Sequence, residues 1–220
     1  MAYKAALFDL DGVVIDTERQ YTKFWGRVGK RYFPDQPDFA EKIKGSTLVQ
    51  IYDRYFKGET DKQQAITKGL DDFERSMDYV FIPGFCAFVG TLRDHGVKTA
   101  VVTSSNLVKM ANVYRAHPDF KNLFDAILTS EDFDKSKPDP DCYLKAAQCF
   151  GFQPGECVGF EDSINGLKAV KAAKILCVGL ATTNPKEVVS RYADLVIDNY
   201  LPDGDVKARA TYNKLLSLFV

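Results

Sequence analysis

The sequence predicts an α/β fold in which a mostly parallel sheet is interrupted, after its first strand, by an all-helical insertion. Three observations predict it. An apolar run of strand length, Ala5-Ala6-Leu7-Phe8, opens the chain and ends at a glycine-marked turn. From Asp16 to Tyr79 the apolar residues fall at helical steps, with no convincing strand among them. Beyond Ile82-Pro83-Gly84, strand-like and helix-like segments alternate, the pattern of right-handed βαβ units.

Each element has its own signal. Ala5 to Phe8 is short enough for a buried strand, and Asp9-Leu10-Asp11-Gly12 is its exit turn. Within the insertion, Tyr21, Phe24, Trp25, Val28 and Tyr32 recur at steps of three and four. Leu48, Ile51, Tyr52, Tyr55 and Phe56 repeat the pattern, as do Ile66, Leu70, Phe73 and Met77, so three or more amphipathic helices are expected. Such stripes form the core of a helical bundle. Phe85, Phe88, Val89 and Leu92 then line a helix that ends near Gly96. Val97 to Thr103 is rich in β-branched residues and reads as a buried strand. Further strands are expected over 126–128, 157–160, 175–180 and 195–197. Asp139 with Pro140 forms an N-cap and first-turn pair, Gly151 suits the end of that helix, and Asn184-Pro185 repeats the start signal. The result is a Rossmann-like core of residues 1–15 and 82–220 with a helical cap domain over 16–81.

At 220 residues, 45% hydrophobic and 27% charged, the composition is that of an ordinary globular protein. A formal net charge of -1 gives no global pull toward nucleic acid or a membrane surface. The longest apolar stretches are strand-sized, far short of the roughly 20 residues that span a bilayer. Met1 to Lys4 leads directly into the first strand without room for a cleavable leader, so a cytoplasmic location is expected; separately, a monomer or small homo-oligomer is expected. The cysteines form no CxxC pair and fit free thiols in a reducing compartment. His95 and His117 lie apart, without partners at metal-ligand spacing.

Four segments fall at the C-terminal ends of predicted core strands, where open α/β sheets bind ligands. They are Asp9-Leu10-Asp11-Gly12, Thr103-Ser104-Ser105-Asn106, Lys135-Ser136-Lys137-Pro138 and Glu161-Asp162-Ser163. Side chains two apart on an extended segment point the same way, so Asp9 and Asp11 can share a site. Singly, each segment has a plain structural reading: an exposed acidic turn, a strand-ending Thr with helix-capping serines, a solvated loop lysine, carboxylates at a helix start. Jointly they supply carboxylates, an ammonium, a hydroxyl and helix-start amides, an inventory that suits a divalent cation holding a phosphate group. A hard cation such as Mg2+ takes oxygen ligands, and a carboxylate nucleophile divides phosphate-ester cleavage into two easier steps.

In this order the four segments resemble the haloacid dehalogenase superfamily of phosphotransferases, and the resemblance spans the whole chain. The helical insertion is similar to the small cap which that superfamily places just after its first motif. Phe8 through Glu18, Lys137-Pro138-Asp139-Pro140 with Tyr143-Leu144, and Phe160 through Gly166 resemble its β-phosphoglucomutase and phosphatase branch. The resemblance implies Asp9 as nucleophile and Mg2+ ligand, and Asp11 as general acid and base with its backbone carbonyl on the metal. It implies Asp162 as a further ligand, with Glu161 either ligating or holding metal-bound water. Thr103 and Ser104 would donate to the phosphoryl group. Lys137 would neutralise that group and pair with Asp9, and Asn106 would either contact it or cap the following helix.

The expected function is Mg2+-dependent hydrolysis of a small phosphorylated metabolite, a sugar phosphate or similar, through an aspartyl phosphate. Two alternatives stay open: a phosphosugar mutase of the β-phosphoglucomutase type, and a non-catalytic phosphate-binding module. The mutases that this chain resembles carry a histidine where Tyr21 falls and an arginine at about the position of Leu48. Both departures favour hydrolysis. In the cap, Lys44-Gly45-Ser46-Thr47 resembles a substrate-specificity loop and is equally a helix start capped by Ser46 or Thr47. Lys44 would meet a second anion on the substrate, and Tyr21 would face either the cleft or the cap core.

Overall fold

The computed structural model describes residues 2–202 and 206–220. Its parallel sheet comprises β1 (Ala5–Phe8), β2 (Lys98–Val102), β3 (Ala126–Leu128), β4 (Cys157–Glu161), β5 (Leu176–Leu180) and β6 (Leu195–Ile197), in the order β3-β2-β1-β4-β5-β6. The strand order reverses between β1 and β4, and a crevice opens at such a reversal beyond the carboxyl ends of the strands. Asp9 follows β1 and Asp162 follows β4, one on each side of it.

All four side chains of β1 are buried, as a central strand covered on both faces requires. Alternation sends Ala6 and Phe8 into one core and Ala5 and Leu7 into the other. In the first, Phe8 stacks on Phe160 at 4.5 Å and packs against α5 (Phe85–Asp94); α10 (Val206–Leu216) adds Leu215. In the second lie Cys142 and Tyr143 of α7 (Asp141–Cys149) and Leu167 of α8 (Ile164–Ala172).

The insertion folds as α1 (Glu18–Tyr32), α2 (Phe39–Lys42), α3 (Leu48–Tyr55) and α4 (Thr60–Arg75), a helical cap with its own core of Phe24, Trp25, Ile51, Phe56 and Ile66. Met77 departs from the helical pattern that includes it. The Ser76 hydroxyl donates to the Phe73 carbonyl at 3.0 Å where α4 stops, and Met77 packs in the sheet core instead. The two chain crossings into and out of the cap lie side by side. Asp16 N–H donates to the Val80 carbonyl at 2.8 Å, Ile82 N–H to the Val14 carbonyl at 2.9 Å, and Ile15 bridges Phe81 antiparallel.

Two helix starts differ in detail from expectation. Pro140, not Asp139, stands at the N-cap of α7, and Asp139 Oδ1 accepts from the Asp141 N–H at 3.1 Å. Asn184 does not cap α9 (Lys186–Val189); its Nδ2 donates to the Asp162 carbonyl at 3.0 Å. Among the described residues no helix is long and apolar enough to cross a membrane.

Candidate active site

β1 delivers Asp9 to the mouth of the crevice, and the loop before α7 brings Lys137 across it. Lys137 Nζ donates to Asp9 Oδ1 at 2.5 Å, to Glu161 Oε1 at 2.6 Å and to the Val102 carbonyl at 3.1 Å. Glu161 is fully engaged. Its Oε1 also accepts from the Tyr143 hydroxyl at 2.8 Å, and its Oε2 from the Asp162 N–H at 3.2 Å, the Ser163 N–H at 3.3 Å and the Ser163 hydroxyl at 3.2 Å. This carboxylate fits only because residue 166 is glycine: a Cβ there would run into it.

Asp162 accepts a hydrogen bond from the Thr183 hydroxyl on Oδ2. Gly12 lets it approach β1. The backbone there turns at φ +72, in the left-handed region, and a Cβ would meet the Asp162 carboxylate. The Thr182 hydroxyl holds the same turn through the Gly12 carbonyl at 2.6 Å. Asp9 Oδ2 and Asp162 Oδ1 carry no hydrogen bond among the described residues.

Asp11 is gripped separately, by Lys109 of α6 (Leu107–Ala116), whose Nζ lies 2.5 Å from both carboxylate oxygens. The Thr17 hydroxyl donates to Asp11 Oδ1 at 2.5 Å and the Ser105 hydroxyl to Oδ2 at 3.1 Å. Lys109 is buried and sits 4.7 Å over the ring of Tyr21, whose hydroxyl donates to Glu74 Oε1 at 2.6 Å. Tyr21 thus faces the cleft and, through Phe73 at 6.4 Å, the cap core as well.

Thr103 is buried at the end of β2, and its hydroxyl accepts from the Ser105 N–H at 3.0 Å. Ser104 lines the cleft. Asn106 caps α6, its Oδ1 accepting from the Lys109 N–H at 2.9 Å. Across the cleft, Thr47 rather than Ser46 caps α3. It shares a reciprocal box with Gln50, whose Nε2 reaches on to the Lys137 carbonyl at 3.0 Å. Lys44 and Ser46 line the cleft, but Lys44 is paired with Glu41 at 2.8 Å. The Gly45 carbonyl accepts from Asn165 Nδ2 at 3.0 Å, so the cap loop is docked on α8. The cleft has a volume of about 470 Å3.

The carboxylates are electrostatically crowded. Burial, reinforced by Glu161 and Asp11, pushes Asp9 up to about 7 despite Lys137. Burial also lifts Asp162 well above the carboxylate range, with Glu18, Glu161 and Asp9 adding repulsion. Burial alone would lower Lys137, but Asp9 and Glu161 hold its ammonium above the ordinary lysine value. Oxygens of Asp9, Glu161 and Asp162 lie within 4.8 Å of one another. Crowded, buried carboxylates of this kind are what a hard divalent cation relieves, and the donor set fits one.

Lys109, Thr17, Thr183 and Asn184 escape sequence reasoning. Lys109 looks like any lysine on an amphipathic helix, and only its place three residues after the capping Asn106 puts it near a strand end. Thr183 and Asn184 follow β5, which contributes no motif.

A family model for haloacid dehalogenase-like hydrolases matches residues 3–174. The chain is 28% identical over 203 residues to validoxylamine A 7'-phosphate phosphatase of Streptomyces hygroscopicus subsp. limoneus, covering 89% of this chain and 93% of that protein. It is 27% identical over 213 residues to β-phosphoglucomutase of Bacillus subtilis, covering 89% and 92%. It is also 28% identical over 188 residues to the chloroplastic protein SUPPRESSOR OF QUENCHING 1 of Arabidopsis thaliana, of whose length it spans 18%. Among solved structures, CbbY of Rhodobacter sphaeroides in complex with phosphate superposes with a TM-score of 0.75 at 23% identity, over 94% of this chain and 98% of that one. That last likeness is one of fold.

Proposed function

The chain belongs to the haloacid dehalogenase-like hydrolases, and from that membership we propose that it hydrolyses small phosphomonoesters through an aspartyl phosphate on Asp9. The observation that carries the reading is the free Asp9 Oδ2 beside the Lys137 ammonium and Asp162 in one buried crevice. The curated relatives named for phosphate-ester chemistry, validoxylamine A 7'-phosphate phosphatase and β-phosphoglucomutase, support it.

Asp9, Asp162 and the Asp11 backbone carbonyl would hold Mg2+, with Glu161 orienting Lys137, since its own oxygens are already taken. The ion, when bound, neutralises phosphate charge so that an anionic nucleophile can approach. Asp9 Oδ2 then attacks phosphorus, and the ester oxygen leaves with a proton from Asp11. A water molecule, deprotonated by Asp11, attacks the aspartyl phosphate; inorganic phosphate departs and Asp9 is restored. Lys137, Ser104 and the Thr103 hydroxyl hold the phosphoryl oxygens. Asn106 acts by capping α6 and thereby placing Lys109. Residues 16–81 form the cap, whose Lys44–Thr47 loop closes the cleft over a ligand of metabolite size.

The test is release of inorganic phosphate from a panel of phosphorylated metabolites with Mg2+. Activity should vanish on chelation, return with Mg2+, and fall at least about 10³-fold in Asp9→Asn. Turnover that survives either treatment would overturn the mechanism.

A further inference from the structure

We infer that the leaving-group half of the cleft selects phosphomonoesters whose organic part carries hydrogen-bond donors, hydroxyl or ammonium, and no second anionic group. This rests on the hydrolysis proposed above and names the substrate class of the same site.

The cations lining the cleft among the described residues are Lys44, Lys109, Lys135 and Lys137, with no arginine. Each already has a carboxylate partner. Lys44 pairs with Glu41, Lys109 with Asp11, Lys135 with Asp139, and Lys137 with Asp9 and Glu161. Arg54 does not replace them: it is exposed, lies outside the lining and rests over the ring of Tyr55 at 5.2 Å.

The cap wall instead offers carboxylates. Glu18, Asp71 and Glu74 all line the cleft. The Glu18 and Asp71 carboxylates accept no hydrogen bond and form no ion pair among the described residues, and Glu74 holds the Tyr21 hydroxyl. Trp25, Leu48 and Leu70 supply apolar surface between them. A second phosphate or a carboxylate seated there would face these acids without a free cation to balance it, and like-charge juxtaposition is strongly unfavourable. A hydroxyl or ammonium would donate to them.

Matched pairs test this. Glucitol 6-phosphate and 6-phosphogluconate share a carbon skeleton and a phosphate and differ in a terminal hydroxymethyl against a carboxylate. Phosphoethanolamine and phosphoglycolate differ in an ammonium against a carboxylate. In each pair the member without the carboxylate should have at least a tenfold higher kcat/KM, and Asp71→Asn should shrink that ratio at least threefold. Phosphate release from 4-nitrophenyl phosphate reports hydrolysis itself. If that ester is turned over while either pair shows equal or reversed preference, the inference is wrong and hydrolysis stands. If none of the five esters is turned over, hydrolysis is wrong. Calorimetric titration of glucitol 6-phosphate and 6-phosphogluconate onto Asp9→Asn with Mg2+ then decides the inference by affinity alone: tenfold tighter binding of glucitol 6-phosphate upholds it, and equal or reversed affinity overturns it.

Discussion

Asp11 can serve as an acid only through the oxygens that Lys109, Thr17 and Ser105 now hold, which makes its role separable by leaving group. Asp11→Asn should cut turnover of an alkyl phosphate by roughly 100-fold, and of 4-nitrophenyl phosphate by about tenfold, because nitrophenolate leaves without a proton. Equal losses on both would remove the acid role. Glu18 gives a pH signature. Burial, then repulsion from Asp11, raises its carboxyl from 4.5 to about 7 in the metal-free protein. The folded state therefore binds that proton more tightly than the unfolded state. Its contribution is most favourable below pH 4.5, declines between 4.5 and about 7, and is least favourable above. Glu18→Gln should accordingly raise the metal-free Tm relative to wild type more at pH 8 than at pH 5. A shift of equal size at both values would contradict this. Asp9 and Asp162 could be singled out in the sequence because each adjoins a strand end with a recognisable motif, and Lys137 by its Lys-Pro-Asp-Pro motif alone, since it stands in the loop before α7 rather than at the end of β3. Lys109 could not, because its partner Asp11 is brought to it only by sheet packing.

At the scale of elements, the strands of the sheet were legible to within about a residue at their ends, since each central one is a short apolar run between turn signals. Helix ends were less so. Ser76 closes α4 before Met77 although the apolar spacing continues, and Asn184 serves Asp162 rather than its own helix. Side-chain chemistry at a terminus competes with periodicity, and periodicity alone does not reveal the winner. α8 shows how an element supports the site without touching substrate. Its Gly166 faces the Glu161 carboxylate so closely that Gly166→Ala must displace it. The expected cost is about 1–3 kcal/mol in stability, as for other overpacked positions, with a fall in kcat from the loss of Lys137's second partner. Urea denaturation together with steady-state kinetics checks both; an unchanged variant would show that Glu161 can move freely.

Across the whole molecule, cap and core meet with little provision for a bisphosphorylated sugar. Tyr21 is committed to Glu74 and Lys109, and Leu48 offers no charge. A mutase must retain a bisphosphate and return a phosphoryl group to a second hydroxyl. Given β-glucose 1-phosphate, a trace of the 1,6-bisphosphate and Mg2+, this protein should release free phosphate faster than it forms glucose 6-phosphate. The reverse order would make it a mutase. The sequence could indicate the chemistry of the phosphate end but not the cap wall, because Asp71 and Glu74 are ordinary polar positions on α4 until the fold turns them to the cleft.

The side-by-side crossings at Ile15 and Phe81 have a further consequence. To the sheet, the cap helices between them are a loop whose ends are already closed, and the cost of closure grows only slowly with loop length. The insertion therefore behaves as a cassette. Cap helices can be lengthened away from the cleft without changing strand register, provided Thr17, Gln50 and Met77 keep their contacts with the core. A lineage built this way can diversify its choice of substrate while inheriting one fixed means of breaking the bond.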